Sequence, residues 1–178
     1  MSPALRARLR LGALVVAALV AQATFGSDLR IWGVAPDLMA LLAVCAGLAG
    51  GPEQGAVVGF FAGAGTDLLL AHTPFGLSAL ALCLTGFAVG LLRAAVIRDS
   101  RLLVPAVAFA GVGMAVALFL GVGDLVGETQ LAAEGRAWLL RVALVEGAGA
   151  AALAIPAAAL VRRAATGSPG AARLGGTA

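Results

Sequence analysis

The chain has 178 residues, of which 61% are apolar and only 12% are charged. A soluble domain of this size carries about a quarter charged residues, so the apolar excess must face lipid and excludes an ordinary water-soluble globule. The twelve basic residues are all arginines placed at the ends of apolar segments, which favours a role in membrane orientation over binding to nucleic acid.

The N-terminal segment admits two interpretations. Residues 1–10 carry three arginines and no acid, and residues 11–25 are apolar apart from Gln22 and Thr24. This pattern is typical of a first transmembrane helix held by cytoplasmic arginines. It also fits a cleaved signal peptide, because residues 21–23 read Ala-Gln-Ala. We favour the retained helix, since further spans follow and no soluble domain requires export.

Further apolar segments predict an all-α integral membrane protein. They are expected to span the membrane at residues 31–51, 54–71, 77–97, 102–122 and 137–161. The result is a bundle of six transmembrane helices, or five if the first is cleaved. One transmembrane domain is expected over residues 1–163, and a disordered cytoplasmic tail over residues 164–178, which are rich in small and turn-forming residues.

Glycines mark two predicted helices as packing surfaces. Gly55, Gly59 and Gly63 recur every four residues and share one face of the third helix, and the fourth helix has Gly86 and Gly90 at the same spacing. Small residues at this spacing let helix backbones approach closely in a membrane. The stripe on the third helix is therefore a candidate docking face for a partner helix. The fifth helix has a similar stripe at residues 113, 117 and 121.

Four charged residues are predicted to meet near one membrane face. Asp37 and Asp67 are both fifteen residues from Pro52, at the turn of a helical hairpin, so they lie at the same depth. Arg141 enters at a similar depth in the sixth helix, and we hypothesise that it pairs with one of the two aspartates. Alternatively, Asp37 is stabilised by a helix N-terminus. Glu146 lies deeper and completes the predicted polar network, either as a proton or ligand site or, as we favour, through a hydrogen bond to a neighbouring helix.

Catalytic and metal sites find little support in the residues. Cys45 and Cys83 fall in apolar runs without a cysteine or histidine at ligand spacing, so both are expected to be packing residues. Ser78 with His72 is a poor protease dyad because the segment lacks the final glycine of the G-x-S-G motif. Two carboxylates without a third make a poor metal cradle. We therefore expect no catalytic residue, cofactor or metal.

These residues, taken in order, resemble the rod shape-determining protein MreD family. The resemblance rests on Pro36-Asp37-Leu38, Gly59-Phe60, Asp67-Leu68-Leu69, Phe75-Gly76, and Pro156 followed by arginines, and covers roughly residues 10 to 163. This sequence departs from the family's pattern at Glu146, where a neutral polar residue is more usual, and in the acidic loop over 124–136. Together with the glycine pattern, it gives these partner or helix-packing candidates: Pro36, Asp37, Gly55, Gly59, Gly63, Asp67, Gly76, Gly86 and Gly90.

The resemblance implies a non-enzymatic scaffold that organises peptidoglycan synthesis and maintains rod cell shape. The implied partners, besides membrane lipids, are an MreC-like bitopic protein, an MreB-like actin homologue, RodA and the elongation transpeptidase. It also implies a fold similar to the six-helix substrate-binding subunit of energy-coupling-factor transporters. The alternative function is therefore a vitamin-type binding subunit of a transporter, although 5% aromatic residues and no tyrosine supply few groups for a specific pocket.

The resemblance further implies a multi-pass protein of the bacterial inner membrane. The arginines fix its expected orientation, with nine on the inner side and three on the outer side if six helices span the membrane. Both termini are then cytoplasmic. The inner arginines are Arg6, Arg8, Arg10, Arg93, Arg98, Arg101, Arg162, Arg163 and Arg173.

Overall fold

The computed structural model describes residues 2–25, 34–69, 75–99, 103–126 and 136–166, and these ranges form an all-α bundle. Within these ranges six helices follow in chain order: α1 (Pro3–Phe25), α2 (Leu38–Gly50), α3 (Pro52–Leu69), α4 (Leu77–Asp99), α5 (Leu103–Val126) and α6 (Arg136–Thr166). The last helix continues to Thr166, into the first residues of the tail predicted over 164–178. The remainder of that tail lies outside the described residues.

Three of the helices have the length and composition of membrane spans. They contain the apolar segments Leu5–Thr24, Leu103–Leu125 and Leu140–Ala165. Two shorter apolar helical segments, Leu38–Gly50 and Leu77–Arg93, accompany them. Apolar helices of this kind, with large side chains exposed along their surfaces, belong in lipid, so the chain is a membrane protein.

Side chains and backbone conformation define where two of the helices begin. The Ser2 hydroxyl accepts a hydrogen bond from the Leu5 amide at 3.2 Å, and Pro3 follows in the first helical position, where no amide hydrogen is required. Asp37 has extended backbone angles and is the N-cap of α2. The span predicted over residues 31–51 therefore begins too early, because residues 34–37 are not helical and α2 begins only at Leu38.

A single residue joins α2 to α3. Gly51 has a φ of +90°, a conformation that side chains disfavour, and its amide donates to the Gly47 carbonyl at 2.8 Å. Pro52 then opens α3 in the position that best tolerates proline. The predicted tight hairpin is confirmed, with both helices running back along one another.

The centre of the molecule is α2. All of its residues from Met39 to Leu48 are buried, and α3, α4, α5 and α6 pack around it. A helix that is apolar on all sides is stable in the middle of a bundle, which explains why its 13 residues show no amphipathic pattern. The two cysteines are free thiols, Cys45 being fully buried among these side chains and Cys83 partly buried.

Candidate functional site

The glycine stripe of α3 lies against α4. A methyl group added at Gly59 would overlap the Leu82 carbonyl, and one added at Gly63 would overlap the Ser78 carbonyl. Gly55 lies equally close to the carbonyl of Gly86. The two helices form the most extensive contact in the bundle. Backbone-to-backbone packing of this kind is what small residues at four-residue spacing allow.

The glycines of α4 also pack closely, against the backbone of α3 and against that of α2. Gly86 faces the Gly55 carbonyl, and Gly90 faces the backbone of Pro52 at the hairpin turn. On α2, Gly47 lies against the backbone of both Gly86 and Gly90. The helix-packing role predicted for these residues thus applies within the chain. A partner helix cannot use the α3 stripe, because α4 already covers it, and our expectation of a docking face there is corrected.

Gly76 serves a different purpose from the packing role predicted for it. An added Cβ would meet nothing within 4 Å, so no neighbour requires the absence of a side chain. Its φ of +101° does require glycine, since other residues rarely adopt that conformation. Gly76 also precedes α4 and accepts its first helical hydrogen bond, from Leu80. A glycine in this place offers no side chain to cap the helix.

Asp67 supplies the missing cap from the preceding helix. Its carboxylate accepts hydrogen bonds from the amides of Gly76 at 2.9 Å, Ser78 at 3.1 Å and Ala79 at 3.2 Å. The side chain is only 4% exposed, and these amides are among those that a helix start leaves without partners. The negative charge also lies at the positive end of the α4 dipole. Asp67 is therefore a bridge between the last turn of α3 and the first turn of α4.

Asp37 plays the same part for its own helix. Its Oδ1 accepts from the amides of Met39 at 2.7 Å and Ala40 at 3.1 Å. Gln22 on α1 adds a second link, because its Oε1 accepts from the Leu38 amide at 2.9 Å and its Nε2 donates to Asp37 at 3.5 Å. The helix N-terminus alternative for Asp37 is the arrangement found here. α1 is thereby tied to the start of the central helix.

The predicted four-residue polar network is not present in the described residues. Arg141 is exposed and forms no ion pair with Asp37 or Asp67, whose carboxylates are held by backbone amides. Nor does Glu146 form the hydrogen bond to a neighbouring helix that we favoured. The physical reason is helical phase: five residues separate Arg141 from Glu146, which places them about 140° apart around α6.

A cavity of about 210 Å³ lies where α2 begins and α3 ends. Asp37 and Glu146 both border it, and so do the hydroxyl-bearing Thr66 and Ser78. Its remaining walls are apolar or aromatic side chains of α4, α5 and α6: Ala81, Leu82, Ala115, Val116, Phe119, Leu120, Trp138 and Val142. Asp37 also belongs to the packing of α6 on α2, since the neighbouring Pro36 lies against Gly149.

A second, larger opening separates α1 from α3. This groove has a volume of about 1030 Å³ and is lined along α1 from Ala7 to Leu19 and along α3 from Glu53 to Leu68. Most of its lining is apolar, including strongly exposed side chains at Val16 (60%) and Phe61 (62%). Polar groups lie at one end of the groove only: Arg8, Glu53 and Gln54.

Sequence reasoning missed two residues of the cavity and its surroundings. Gln22 stood out as polar in an apolar run, but nothing in the sequence showed that it would reach the start of α2. Trp138 belongs to the cavity because Trp138, Val142 and Glu146 are each four residues apart and share one face of α6. That spacing was visible in the sequence and could have identified the face.

Comparison with known proteins identifies the family. No curated protein and no solved structure matches the chain significantly, so the expected likeness to the substrate-binding subunit of energy-coupling-factor transporters stays a prediction. The family model described as rod shape-determining protein MreD matches residues 7–162. This match covers the whole described bundle except the outermost ends of α1 and α6. The chain therefore belongs to the MreD family, whose role is the determination of rod cell shape.

Proposed function

We propose that this chain is a non-enzymatic scaffold of the bacterial cell-elongation machinery. It works in the inner membrane as six spanning helices with both termini in the cytoplasm. It holds an MreC-like bitopic protein, and through it an MreB-like actin homologue, RodA and the elongation transpeptidase, in one assembly. Membership of the MreD family supports the shape-determining role, and the structure of the bundle supports the scaffold.

The observation that carries the scaffold proposal is the contact of α2, α3 and α4 through glycine. Three backbones touch at Gly47, Gly55 and Gly86, where even one methyl group would overlap a neighbouring backbone. Such close packing leaves little freedom for the three helices to move against each other. A rigid centre of this kind suits a protein that presents a fixed outer surface to its neighbours.

The partner surface we propose is the groove between α1 and α3. Its two walls are about 18 Å and 23 Å long at 1.5 Å per residue, which accommodates most of a transmembrane helix. Gly12 lines the groove with nothing within 4 Å of an added Cβ, which leaves room for a partner helix there, whereas Gly65 lies against the Leu19 side chain. The occupant we assign to it is the single transmembrane helix of the bitopic partner.

Cysteine crosslinking, together with depletion of the chain, in the rod-shaped cells that produce it tests both parts. Val16→Cys and Phe61→Cys in the groove are expected to crosslink to the bitopic partner. The matched control is Leu144→Cys on α6, which is 57% exposed and lies outside the groove. Crosslinks from the control alone would reject the groove, and rods of normal shape after depletion of the chain would reject the function.

A transporter subunit is the second candidate, and one observation favours it. The cavity beside Asp37 and Glu146 has the combination of apolar walls and few polar groups that small-molecule sites have. Co-purification separates the two functions. An ATPase partner would favour the transporter, and a cell-wall partner favours the scaffold.

A further inference from the structure

The cavity bordered by Asp37 and Glu146 contains polar atoms without partners. All the hydrogen bonds of the Asp37 carboxylate fall on Oδ1, which leaves Oδ2 open. Within the described ranges, Glu146 forms neither a hydrogen bond nor an ion pair. Ser78 is only 6% exposed, and its hydroxyl has no hydrogen-bond partner among the described residues, although its amide is bonded to Asp67. Polar groups that border a cavity and have no protein partner are completed by water or by a ligand in that cavity.

The charged residues that border the cavity indicate the charge of a ligand that would bind there. Two carboxylates border it, and the described residues that line it include no arginine, lysine or histidine. A positive charge in the cavity would offset the cost of two carboxylates at membrane depth. A bare metal ion fits poorly, because the described residues contain no group of three acids, histidines or cysteines that could hold one.

The walls and the size specify the rest of the ligand. Trp138 and Phe119 offer aromatic faces, which attract cations, and the other wall residues are aliphatic. A volume of about 210 Å³ exceeds the roughly 150 Å³ that holds a benzene molecule, so one ring with a short chain fits. Glu146 lies farther from the start of α6 than Trp138 and Val142, the other cavity residues of that helix.

We propose that this cavity binds an organic ammonium ion with a small apolar body. The ammonium group donates to Asp37, Glu146 and the Ser78 hydroxyl, and the body lies between Trp138 and Phe119. This site is independent of the scaffold function and of the groove between α1 and α3.

Phenethylamine binding to the full-length protein in detergent tests the proposal, measured by titration calorimetry. We expect saturable binding at one site and no binding of 2-phenylethanol, which has the same body without the charge. Equal binding of the neutral compound, or no saturable binding of the amine, would overturn the proposal without any variant.

Two variants locate the site. Glu146→Gln and Asp37→Asn are each expected to weaken phenethylamine binding by about ten-fold or more. Asparagine keeps the cap of α2, because it is as good an N-cap as aspartate. Asp124→Asn, at an exposed acid outside both the cavity and the groove, is the matched control and should bind as the original chain does. Unchanged binding in Glu146→Gln would place the amine elsewhere and reject the site.

The ammonium group has two possible sources, which a second arm distinguishes. If the natural ligand is a free amine, the affinity for phenethylamine is the same in nanodiscs of phosphatidylglycerol and in nanodiscs that contain phosphatidylethanolamine. If the headgroup of phosphatidylethanolamine is the ligand, its presence lowers the apparent affinity for phenethylamine, and Glu146→Gln removes the difference. Either pattern is consistent with ammonium recognition, and a loss of binding in both kinds of nanodisc contradicts it.

Discussion

Single carboxylates in this protein are held by backbone amides. Asp67 accepts three of them while almost fully buried. Asp67→Ala leaves those amides without an acceptor, so we expect the free energy of unfolding to fall by about 1–3 kcal/mol. Thermal unfolding in detergent measures it. Asp124→Ala, at an exposed acid near the end of α5, is the control, and an equal melting temperature in both variants would show that the cap contributes nothing.

Gln22 gives a second prediction at the scale of one side chain. Gln22→Leu keeps the apolar character of α1 and removes both its bond to the Leu38 amide and its bond to Asp37. We expect faster hydrogen exchange at the start of α2, because the Leu38 amide loses its acceptor. Thr24→Val on the same helix serves as control, since the Thr24 hydroxyl bonds only to the Val20 carbonyl. Equal exchange in the two variants would contradict the link.

The positions of these acids were readable from the sequence, but their partners were not. The hairpin symmetry about Pro52 placed Asp37 and Asp67 at the same end of α2 and α3, and the structure has them there. A salt bridge to Arg141 was the obvious compensation for a buried charge. Backbone amides compensate both carboxylates instead, from the start of α2 for Asp37 and from the start of α4 for Asp67, and no sequence pattern records them. One indication was Gly76, which has no side chain to cap α4, so that another residue had to supply the cap.

At the scale of helices, the close packing of α3 on α4 predicts a loss of stability when one of its glycines is replaced. Gly59→Ala would place a methyl group onto the Leu82 carbonyl, so we expect a loss of about 1–3 kcal/mol in the free energy of unfolding. Gly113→Ala in α5 is the matched control. Nothing lies within 4 Å of an added Cβ there, and alanine stabilises a helix by up to about 1 kcal/mol over glycine.

Thermal unfolding of the two variants provides the comparison. Opposite shifts in melting temperature are expected, downward for Gly59→Ala and upward or unchanged for Gly113→Ala. A Gly59→Ala protein as stable as the original would mean that the α3–α4 contact tolerates a wider spacing.

The glycine spacing predicted close packing correctly and its target incorrectly. Glycines at a spacing of four residues identify the face of α3 that allows close packing. They do not show whether the helix that packs there belongs to the same chain or to a partner. The contact with α4 was favoured by sequence proximity, because consecutive helices are usually neighbours. The start of α2 was misplaced for a local reason. Asp37 has extended backbone angles and accepts from the amides of Met39 and Ala40, so it caps the helix from outside.

For the whole molecule, helix length complicates the count of spans. α2 has 13 residues and is about 20 Å long, shorter than the roughly 30 Å of the hydrocarbon core. The burial of Met39 to Leu48 explains how a short helix can lie at membrane depth, since other helices cover its surface instead of lipid. Sequence analysis could not anticipate this, because an apolar run reads alike in a lipid-facing span and in a buried helix.

Six alternating spans predict which side of the membrane each helix end reaches. Glu53, at the turn between α2 and α3, should face the cytoplasm, and Asp124, near the end of α5, should face outward. Both side chains are exposed, so each can be replaced by cysteine in a chain whose Cys45 and Cys83 are alanine. An impermeant maleimide added to intact spheroplasts is expected to label Asp124→Cys at once and Glu53→Cys only after lysis.

The two positions control for each other, because they differ only in the predicted side. Labelling of both in intact spheroplasts would mean that α2 and α3 form a hairpin that does not cross the membrane. The bundle would then have four spans instead of six. The nine arginines assigned to the cytoplasm would still lie there, since removing two consecutive spans leaves the orientation of the others unchanged. The arginine count alone therefore cannot replace this measurement, and the hairpin is the part of the topology that it decides.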